Sequence, residues 1–321
     1  MKKCRIAILG ASSHIAQGLI ARFGQQSNNH LCLFTNSPEK VRLSLSANIE
    51  APGLKRIKIM TGYDRFMAGE HDVVINCVGV GTARKLKGDY SKYFLVTEKY
   101  DNLVIDYLLQ HRQCLYLNLS SGMVYGRSLA APAGENARIS LSVNHLGRED
   151  YYSVVRINAE AKHRALSKLR IIDLRLFAYF SRYIDLQEGY FITELISCLK
   201  QKRVFLTDRM NIVRDYIHPD DFFALVQTCI KAGRVNAALD VNSAKPVSKQ
   251  EILKYFSDEY GLRYKISGSI GHLSATGQKN IYCSKYDSAA KLGFRPRFSS
   301  LAAITQEAEY IISRKGTRSA S

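Results

Sequence analysis

The sequence has no long apolar run and no paired cysteines, and each absence excludes a class of protein. No stretch approaches the roughly 18 uninterrupted apolar residues that a membrane-spanning helix requires, so we expect no membrane partner. The cysteines are odd in number, scattered and never spaced as Cys-x-x-Cys, which argues against a disulfide framework or a zinc site. They are Cys4, Cys32, Cys77, Cys114, Cys198, Cys229 and Cys283. We therefore expect a protein of the reducing cytoplasm without a metal centre.

Acidic residues are scarce relative to basic ones. The 46 Lys and Arg residues outnumber the 28 Asp and Glu residues, which gives a formal net charge of +18. A nucleic-acid surface would concentrate its cations in runs of about five to eight residues. The basic residues are instead spread along the chain, so we expect a solvated surface and no nucleic-acid partner. Some of them are candidates to bind small anions, such as a dinucleotide and a phosphorylated substrate.

The first half of the sequence contains a regular alternation of strand-like and helix-like segments. Short apolar runs such as CRIAILG, HLCLFT and HDVVINCVG alternate with segments of helical periodicity such as HIAQGLIARFG and KYFLVTEKYDNLVIDYLLQHR. This alternation is typical of βαβ units. Because βαβ crossovers are right-handed, it predicts an α/β protein with a Rossmann-like, doubly wound parallel sheet.

The alternation ends after Phe177, where shorter and more mixed segments follow. A chain of 321 residues suits one large α/β domain or two domains that share an interface. We predict a dinucleotide-binding domain over residues 1–177 and a smaller, mixed substrate-binding domain over residues 178–321. Residues from about 212 to about 245 are expected to pack back onto the first domain.

The loop between the first strand and the first helix, LGASSHIAQG, has one glycine where a dinucleotide-binding turn usually has three. Such glycines let backbone N–H groups approach a pyrophosphate at the amino terminus of a helix. Gly10 occupies the first of these positions, and the small residues Ser13 and Ala16 occupy the others. Because the loop opens a βαβ series, we predict a dinucleotide site rather than an ordinary turn. Its predicted contacts are Gly10, Ser12, Ser13, His14 and Ile15.

The second strand ends in LFTNSPEK, without the carboxylate that usually binds the 2′-hydroxyl of an NAD ribose. Thr35 and Asn36 stand there instead, with Lys40 and Arg42 nearby. No acid at this point would repel a 2′-phosphate, so the sequence favours NADP over NAD while leaving both open. Thr35 and Asn36 are the predicted cofactor contacts at this strand end.

Five further motifs follow in order: LNLSSGMVYG, YSVVRINAE, LRLF, VRDYIHPDD and AAKLGFRP. With them, the chain resembles the extended short-chain dehydrogenase/reductase family, in the NAD-dependent epimerase/dehydratase group that acts on nucleotide sugars. The likeness covers nearly the whole chain. It implies an enzyme that exchanges hydride between a sugar carbon and the nicotinamide of NAD or NADP, and it implies a homodimer.

The resemblance also implies roles for particular residues. Tyr152 would exchange a proton with a sugar hydroxyl, Ser121 would hydrogen-bond the same oxygen, and Arg156 would take the place of the family's lysine. The implied cofactor contacts are Cys77, Val78, Gly79, Tyr152, Arg156 and Phe177. The implied substrate contacts are Ser121, Met123 and Arg214. For Arg214, a diphosphate contact in the family, a structural ion pair with Asp215 or Asp220 is the alternative.

The chain departs from the family pattern at several positions. Gly122 and Met123 follow the catalytic hydroxyl where a 4,6-dehydratase has Asp-Glu, and because neither can transfer a proton we exclude that branch. Ala178 replaces an asparagine that helps to hold the diphosphate. The remaining departures are Ser181-Arg182 in place of Gly-Pro, and Val96, Lys99 and Tyr100 in place of the Asn-x-x-Gly-Thr pattern.

The most consequential departure is Arg156, four positions after Tyr152 on a predicted helix. Residues four apart share a helix face, and guanidinium carries a permanent charge and several donors, so Arg156 can do the lysine's work. The sequence therefore predicts an epimerase or a ketoreductase acting on a nucleotide-activated sugar. One alternative is that Tyr152 is only a core residue and Arg156 a surface cation. Another, favoured by the replacements at Ala178 and Arg156, is a degenerate relative that binds NADP(H) without turnover.

Overall fold

The computed structural model describes residues 3–80, 83–126, 129–267 and 280–313. In chain order, the first half contains β1 (Cys4–Leu9), α1 (His14–Gly24), β2 (Asn29–Thr35), α2 (Pro38–Asn48), α3 (Ala51–Leu54), β3 (Ile57–Thr61), β4 (Val73–Asn76), α4 (Ala83–Leu86), α5 (Lys92–Gln110), β5 (Leu115–Ser121), α6 (Arg148–Ala165) and β6 (Arg170–Leu176). The second half contains β7 (Ala178–Tyr179), α7 (Phe191–Lys200), β8 (Phe205–Thr207), β9 (Val213–Arg214), β10 (Tyr216–Ile217), α8 (Pro219–Lys231), β11 (Asn236–Val241), β12 (Val247–Ser248), α9 (Lys249–Tyr260), β13 (Tyr264–Ile266), β14 (Ile281–Tyr282) and α10 (Ser300–Ser313).

Seven strands form the central sheet in the order β11-β6-β5-β4-β1-β2-β3. Every neighbouring pair in it is parallel. The chain runs outward from β1 to β3, then returns to β4 and continues toward the other edge. The order therefore reverses between β1 and β4, and a crevice forms beyond the carboxyl ends of these strands. The predicted Rossmann-like, doubly wound sheet is confirmed.

Helices cover both faces of this sheet. On one face, Phe23 of α1 and Phe222 of α8 belong to an apolar cluster with the strand residues Ile8 and Leu117. On the other face, Tyr107 of α5 packs in a second cluster with strand residues such as Val74 and Ile171. All residues of β4 and β5 are buried, as expected for central parallel strands covered on both sides.

The elements after β6 are shorter and form a separate apolar cluster. Ile196 of α7, Phe205 of β8, Phe256 of α9 and Ile304 of α10 are all buried in it. Two later elements belong to the larger, first part of the structure instead. Strand β11 pairs with β6 at the edge of the central sheet, and α8 packs against α1. Arg22 of α1 and Asp220 of α8 form an ion pair of 2.5 Å. The domain boundaries suggested by the sequence remain a prediction.

The segment VRDYIH forms two short strands, β9 and β10, which are separated by Asp215. The Asp215 carboxylate is buried and accepts a hydrogen bond from the Ser243 amide at 2.8 Å. Burial raises the pKa of this carboxyl to about 6. The two short strands pair with different partners, β9 with β12 and β14, and β10 with β7.

Candidate active site

A cavity of about 650 Å³ lies beyond the carboxyl ends of β1, β4 and β5 and extends toward the smaller apolar cluster. This size is typical of a site for a small molecule or a cofactor. Nearly all of the residues that the sequence singles out line it. They are Gly10, Ser12, Ser13, His14, Ile15, Asn36, Cys77, Val78, Gly79, Ser121, Tyr152, Arg156, Phe177 and Arg214.

Thr35 and Met123 do not line this cavity. The Thr35 side chain is buried, and its hydroxyl accepts a hydrogen bond from the Ser37 amide at 3.0 Å, which holds it in the turn after β2. Met123 is buried in an apolar cluster with Tyr125 and Phe177. We therefore leave both side chains out of the binding set proposed below.

The loop after β1 requires glycine at position 10. Gly10 has a φ of +71°, and a Cβ there would lie 2.9 Å from the carbonyl carbon of Cys77 and 3.0 Å from the amide nitrogen of Val78. Ser13 caps α1, because its hydroxyl accepts a hydrogen bond from the Ala16 amide at 3.2 Å. The first amides of a helix have no partner within the helix, so they are available to an anion in the cavity. The loop that begins at Gly10 and the first turn of α1 together form a cradle that fits a dinucleotide pyrophosphate.

His14 stands in the first turn of α1 and is neutral at neutral pH. Burial, with a smaller contribution from Lys85 and Lys40, lowers its pKa to about 4. The imidazole packs against Tyr179, with ring centroids 5.4 Å apart, and its Nδ1 lies 3.5 Å from the Ser181 hydroxyl. His14 thus joins the loop to the beginning of the second half of the chain.

The far end of the cofactor cradle is cationic. Asn36 and Lys40 line the cavity there, and no acidic residue follows β2 until Glu39, which is exposed and pairs with Arg42. Lys40 is exposed on the first turn of α2 and makes no ion pair within the described part of the chain. A cation at this place would favour an additional phosphate.

Tyr152 and Arg156 meet inside the cavity, one turn apart on α6. Arg156 Nη2 donates to the Tyr152 hydroxyl at 3.2 Å, and Nη1 donates to the Leu119 carbonyl at 3.1 Å. Arg156 is only 5% exposed, so the interpretation of Arg156 as a surface cation is wrong. Burial by itself lowers the pKa of the guanidinium, but its interactions with Tyr152, Tyr116 and Glu160 together outweigh burial, and the net shift is upward. Arg156 is therefore a permanent buried charge beside a hydroxyl.

The backbone around Arg156 has room for a guanidinium. A Cβ at Gly79 would lie 3.1 Å from Arg156 Nη2, so a larger residue there would press on it. Arg156 Nε is buried and has no hydrogen-bond partner among the described residues. A buried donor without an acceptor is costly, so the two hydrogen bonds made by the Nη atoms have to offset this cost.

Ser121 ends β5 with its hydroxyl in a hydrogen bond to the Tyr282 hydroxyl at 3.1 Å. Tyr282 is fully buried, and burial raises its pKa above the usual range. It lines the cavity together with Tyr93, whose ring centroid lies 5.0 Å from that of Tyr152. Neither Tyr282 nor Tyr93 is predicted from the sequence, because no family motif quoted above includes them.

Arg214 is buried in the part of the cavity nearest the smaller apolar cluster. It is 8% exposed, and burial lowers its pKa. The two carboxylates predicted as its ion-pair partners bind other groups. Asp220 pairs with Arg22, and Asp215 accepts a hydrogen bond from the Ser243 amide. Within the described residues Arg214 forms no ion pair; its Nη1 donates to the Val213 carbonyl at 2.9 Å. The ion-pair alternative is therefore wrong, and the charge faces the cavity uncompensated.

Metal sites and membrane-spanning helices are both absent from the described ranges. No group of His, Cys, Asp or Glu side chains there is arranged to hold a metal ion. None of the helices described is both long enough and apolar enough to cross a membrane.

The chain is similar to known proteins in sequence pattern and in fold. The model of the NAD dependent epimerase/dehydratase family matches residues 6–241. A UDP-glucuronic acid 4-epimerase from Bacillus cereus, solved with a UDP-sugar analogue and NAD, has a TM-score of 0.79 and 16% identity, covering 96% of this chain and 98% of that chain. A UDP-N-acetylglucosamine 4-epimerase from Methanobrevibacter ruminantium M1, solved with UDP-N-acetylmuramic acid, has a TM-score of 0.77 and 15% identity, covering 98% and 100%.

A third solved structure, a dTDP-glucose 4,6-dehydratase from Bacillus anthracis in complex with NAD, has a TM-score of 0.73 and 12% identity, covering 96% of each chain. At these identities the structural likeness establishes the fold alone. No curated protein sequence matches the chain significantly.

Proposed function

Because the chain belongs to the NAD-dependent epimerase/dehydratase family, we propose that it is an NAD(P)-dependent epimerase or ketoreductase that acts on a nucleotide-activated sugar. The predicted family is confirmed by the match over residues 6–241. The observation that carries the proposal is the hydrogen bond from the buried Arg156 to Tyr152 in a cavity that also contains a dinucleotide cradle. The solved structures of similar fold support the substrate class, since two of them contain UDP-sugars or analogues.

In the proposed reaction, Tyr152 is the proton carrier. The Arg156 guanidinium donates to the Tyr152 oxygen, which leaves the hydroxyl proton of Tyr152 free to point at a sugar oxygen. The same positive charge stabilises the phenolate that forms when the proton leaves. When bound, the cofactor supplies a nicotinamide carbon that accepts or donates hydride.

Ser121 is proposed to hydrogen-bond the reacting sugar oxygen. Its hydroxyl shares a hydrogen bond with the Tyr282 hydroxyl and accepts one from the Met123 amide at 3.2 Å. These two contacts fix the Ser121 oxygen at the end of a buried strand. A rigidly held donor is worth more to the reaction than one that must reorganise.

The cofactor is proposed to be NADP or NAD, with NADP favoured. The proposed contacts line the cavity, and they are Gly10, Ser12, Ser13, His14, Ile15, Asn36, Cys77, Val78, Gly79 and Phe177. The preference for NADP rests on Lys40, which lines the cradle where no carboxylate opposes a 2′-phosphate. We propose that Arg214 binds the substrate diphosphate, because it is a buried cation without a carboxylate partner among the residues that the structure describes.

The Tyr152→Phe variant tests this function, with Tyr151→Phe as its control. Tyr151 is the neighbouring tyrosine on α6 and does not line the cavity. Turnover of a panel of UDP- and dTDP-sugars is followed by chromatography of the sugar products for epimerisation and by nicotinamide absorbance for net reduction or oxidation. We expect Tyr152→Phe to lose activity by about 100-fold or more while still binding cofactor, and Tyr151→Phe to remain active. Full activity in Tyr152→Phe contradicts the proposal.

The second candidate is a relative that binds NADP(H) without turnover. The replacements at Ala178 and at Arg156 favour it, since both positions lie on the cavity. Detectable hydride exchange with any nucleotide sugar eliminates it. The state of the bound cofactor then separates the two enzymatic branches: an epimerase retains its cofactor because hydride returns to the same substrate, whereas a reductase exchanges it in every turnover.

A homodimer, a cytoplasmic location and the absence of nucleic-acid binding remain predictions.

A further inference from the structure

A second cleft lies at the opposite edge of the sheet from the candidate active site. Its volume is about 500 Å³, and six residues line it: Arg112, Gln113, Lys168, Arg170, Gly233 and Arg234. They come from the three loops that precede β5, β6 and β11, which are neighbours in the sheet. The amino ends of these parallel strands bring the loops together, so the cleft is separate from the cavity at the carboxyl ends.

The lining is strongly basic and contains no carboxylate. Arg112, Lys168, Arg170 and Arg234 are four of its six residues, and none of them forms an ion pair with any residue in the described ranges. The acids that precede β4 on the same sheet edge, Glu70 and Asp72, are both paired with Arg5. Four like charges in one cleft repel each other, and an anion between them would relieve that repulsion.

Two of the cations are held in place by backbone carbonyls. Arg170 Nη1 donates to the Gln113 carbonyl at 2.7 Å, and Nη2 donates to the Ala232 carbonyl at 3.1 Å. Arg234 Nη2 donates to the Lys168 carbonyl at 3.0 Å. Neutral acceptors orient a guanidinium without cancelling its charge. The Arg170 Nε is also buried, and it has no hydrogen-bond partner among the residues described.

We propose that this cleft binds a small phosphate-bearing anion, at a site distinct from the candidate active site. Guanidinium groups match phosphate oxygens in geometry and form short, charge-assisted hydrogen bonds with them. A volume of about 500 Å³ accommodates a ligand of nucleotide or sugar-phosphate size. The inference does not depend on the function proposed above, because it uses none of the same residues.

Pyrophosphate is the probe, titrated by calorimetry into the full chain. The test variant is Arg112→Gln with Lys168→Gln, since neither side chain makes a hydrogen bond to the described residues and folding should be preserved. The matched control is Lys55→Gln with Lys58→Gln, which removes the same charge from exposed positions near β3. Arg214→Ala reports on anion binding in the candidate active site.

We expect a saturable pyrophosphate binding event whose dissociation constant rises about tenfold or more in the test variant and not in the control. This event should persist in Arg214→Ala, whereas a second event in the candidate active site should weaken there. Absence of saturable binding, or an equal loss in the control variant, overturns the proposal. So does a loss confined to Arg214→Ala, because the anion would then occupy the other cavity. Displacement of pyrophosphate by an oligonucleotide, with the steep salt dependence of many phosphate contacts, would assign the cleft to nucleic acid instead.

Discussion

Replacing Arg156 with methionine removes the buried guanidinium while keeping an unbranched side chain of similar length. Two acceptors then lose their donor, the Tyr152 hydroxyl at 3.2 Å and the Leu119 carbonyl at 3.1 Å. Because the first of these oxygens is the proposed proton carrier, we expect Arg156→Met to fold but to lose most of its turnover. Its affinity for the cofactor should fall as well, since Arg156 lines the cavity beside the proposed cofactor contact Gly79.

The size of the loss follows from the separation of the two groups. At 3.2 Å and an effective dielectric constant of about 20, a unit charge on the Tyr152 oxygen and the guanidinium would interact by about 5 kcal/mol. In the transition state the oxygen carries only part of that charge, and the guanidinium charge is delocalised, so about half of this energy applies. A loss of about 2–3 kcal/mol corresponds to roughly a 100-fold lower kcat.

Arg156→Lys tests whether charge is the property that matters. A lysine at this position keeps a cation on the same helix face, and it restores the pair of the family pattern. We expect it to keep or exceed the wild-type kcat. The matched control for side-chain removal is Arg148→Met, at an exposed position on the same helix, which should change neither kcat nor cofactor affinity.

Single-turnover measurement of nicotinamide absorbance gives the hydride step, and fluorescence titration gives cofactor affinity. Wild-type turnover in Arg156→Met would show that the guanidinium takes no part in the reaction. If instead Arg156→Lys were as inactive as Arg156→Met, the positive charge would not be the essential property, and the electrostatic argument would fail.

Three further variants test other parts of the structure. Gly10→Ala should weaken cofactor binding and destabilise the fold more than the control Gly62→Ala does. Gly62 has a similar φ of +74°, but nothing lies within 4 Å of its Cβ position. Equal effects of the two substitutions would refute the argument that Gly10 is required by the close approach of Cys77 and Val78. Lys40→Ala should lower affinity for NADP(H) more than for NAD(H), as measured by calorimetry; a parallel loss would contradict the proposed 2′-phosphate contact. The buried His163, between two carboxylates, has its pKa raised from 6.5 to about 9 despite burial. Its protonated form should therefore contribute about 3 kcal/mol to the free energy of unfolding. This contribution is complete below pH 6.5 and is lost as the pH rises through about 9. The free energy of unfolding in urea should fall over this pH range in the wild type and not in His163→Gln.

The sheet and most of the cavity lining could be predicted because both depend on local pattern and on one topological rule. Alternating segments specify parallel strands, and parallel strands bring the residues at their carboxyl ends to one edge. Gly10, Cys77 and Ser121 each follow or end such a strand, so their convergence requires no knowledge of side-chain packing.

The remainder depends on contacts that local pattern does not encode. Tyr282 lies 161 positions from Ser121, on a two-residue strand whose place is set by pairing with β9. Thr35 stands at the correct strand end, but its hydroxyl is taken by the Ser37 amide in a turn that the sequence does not distinguish from a ligand contact. Short strands and local hydrogen bonds of this kind are decided by tertiary packing.

Two of the departures from the family pattern, Ser181 and Arg182, are accommodated by specific contacts. Ser181 lies against His14 of the cofactor loop, and Arg182 is fixed by an ion pair of 2.5 Å with the buried Glu307. These replacements therefore have structural partners of their own and do not bear on proton transfer. The departure that does bear on it is Arg156, which retains a positive charge within hydrogen-bond distance of Tyr152. The contrast between Arg156→Lys and Arg156→Met therefore tests proton transfer at this pair separately from the binding contacts at the other departures.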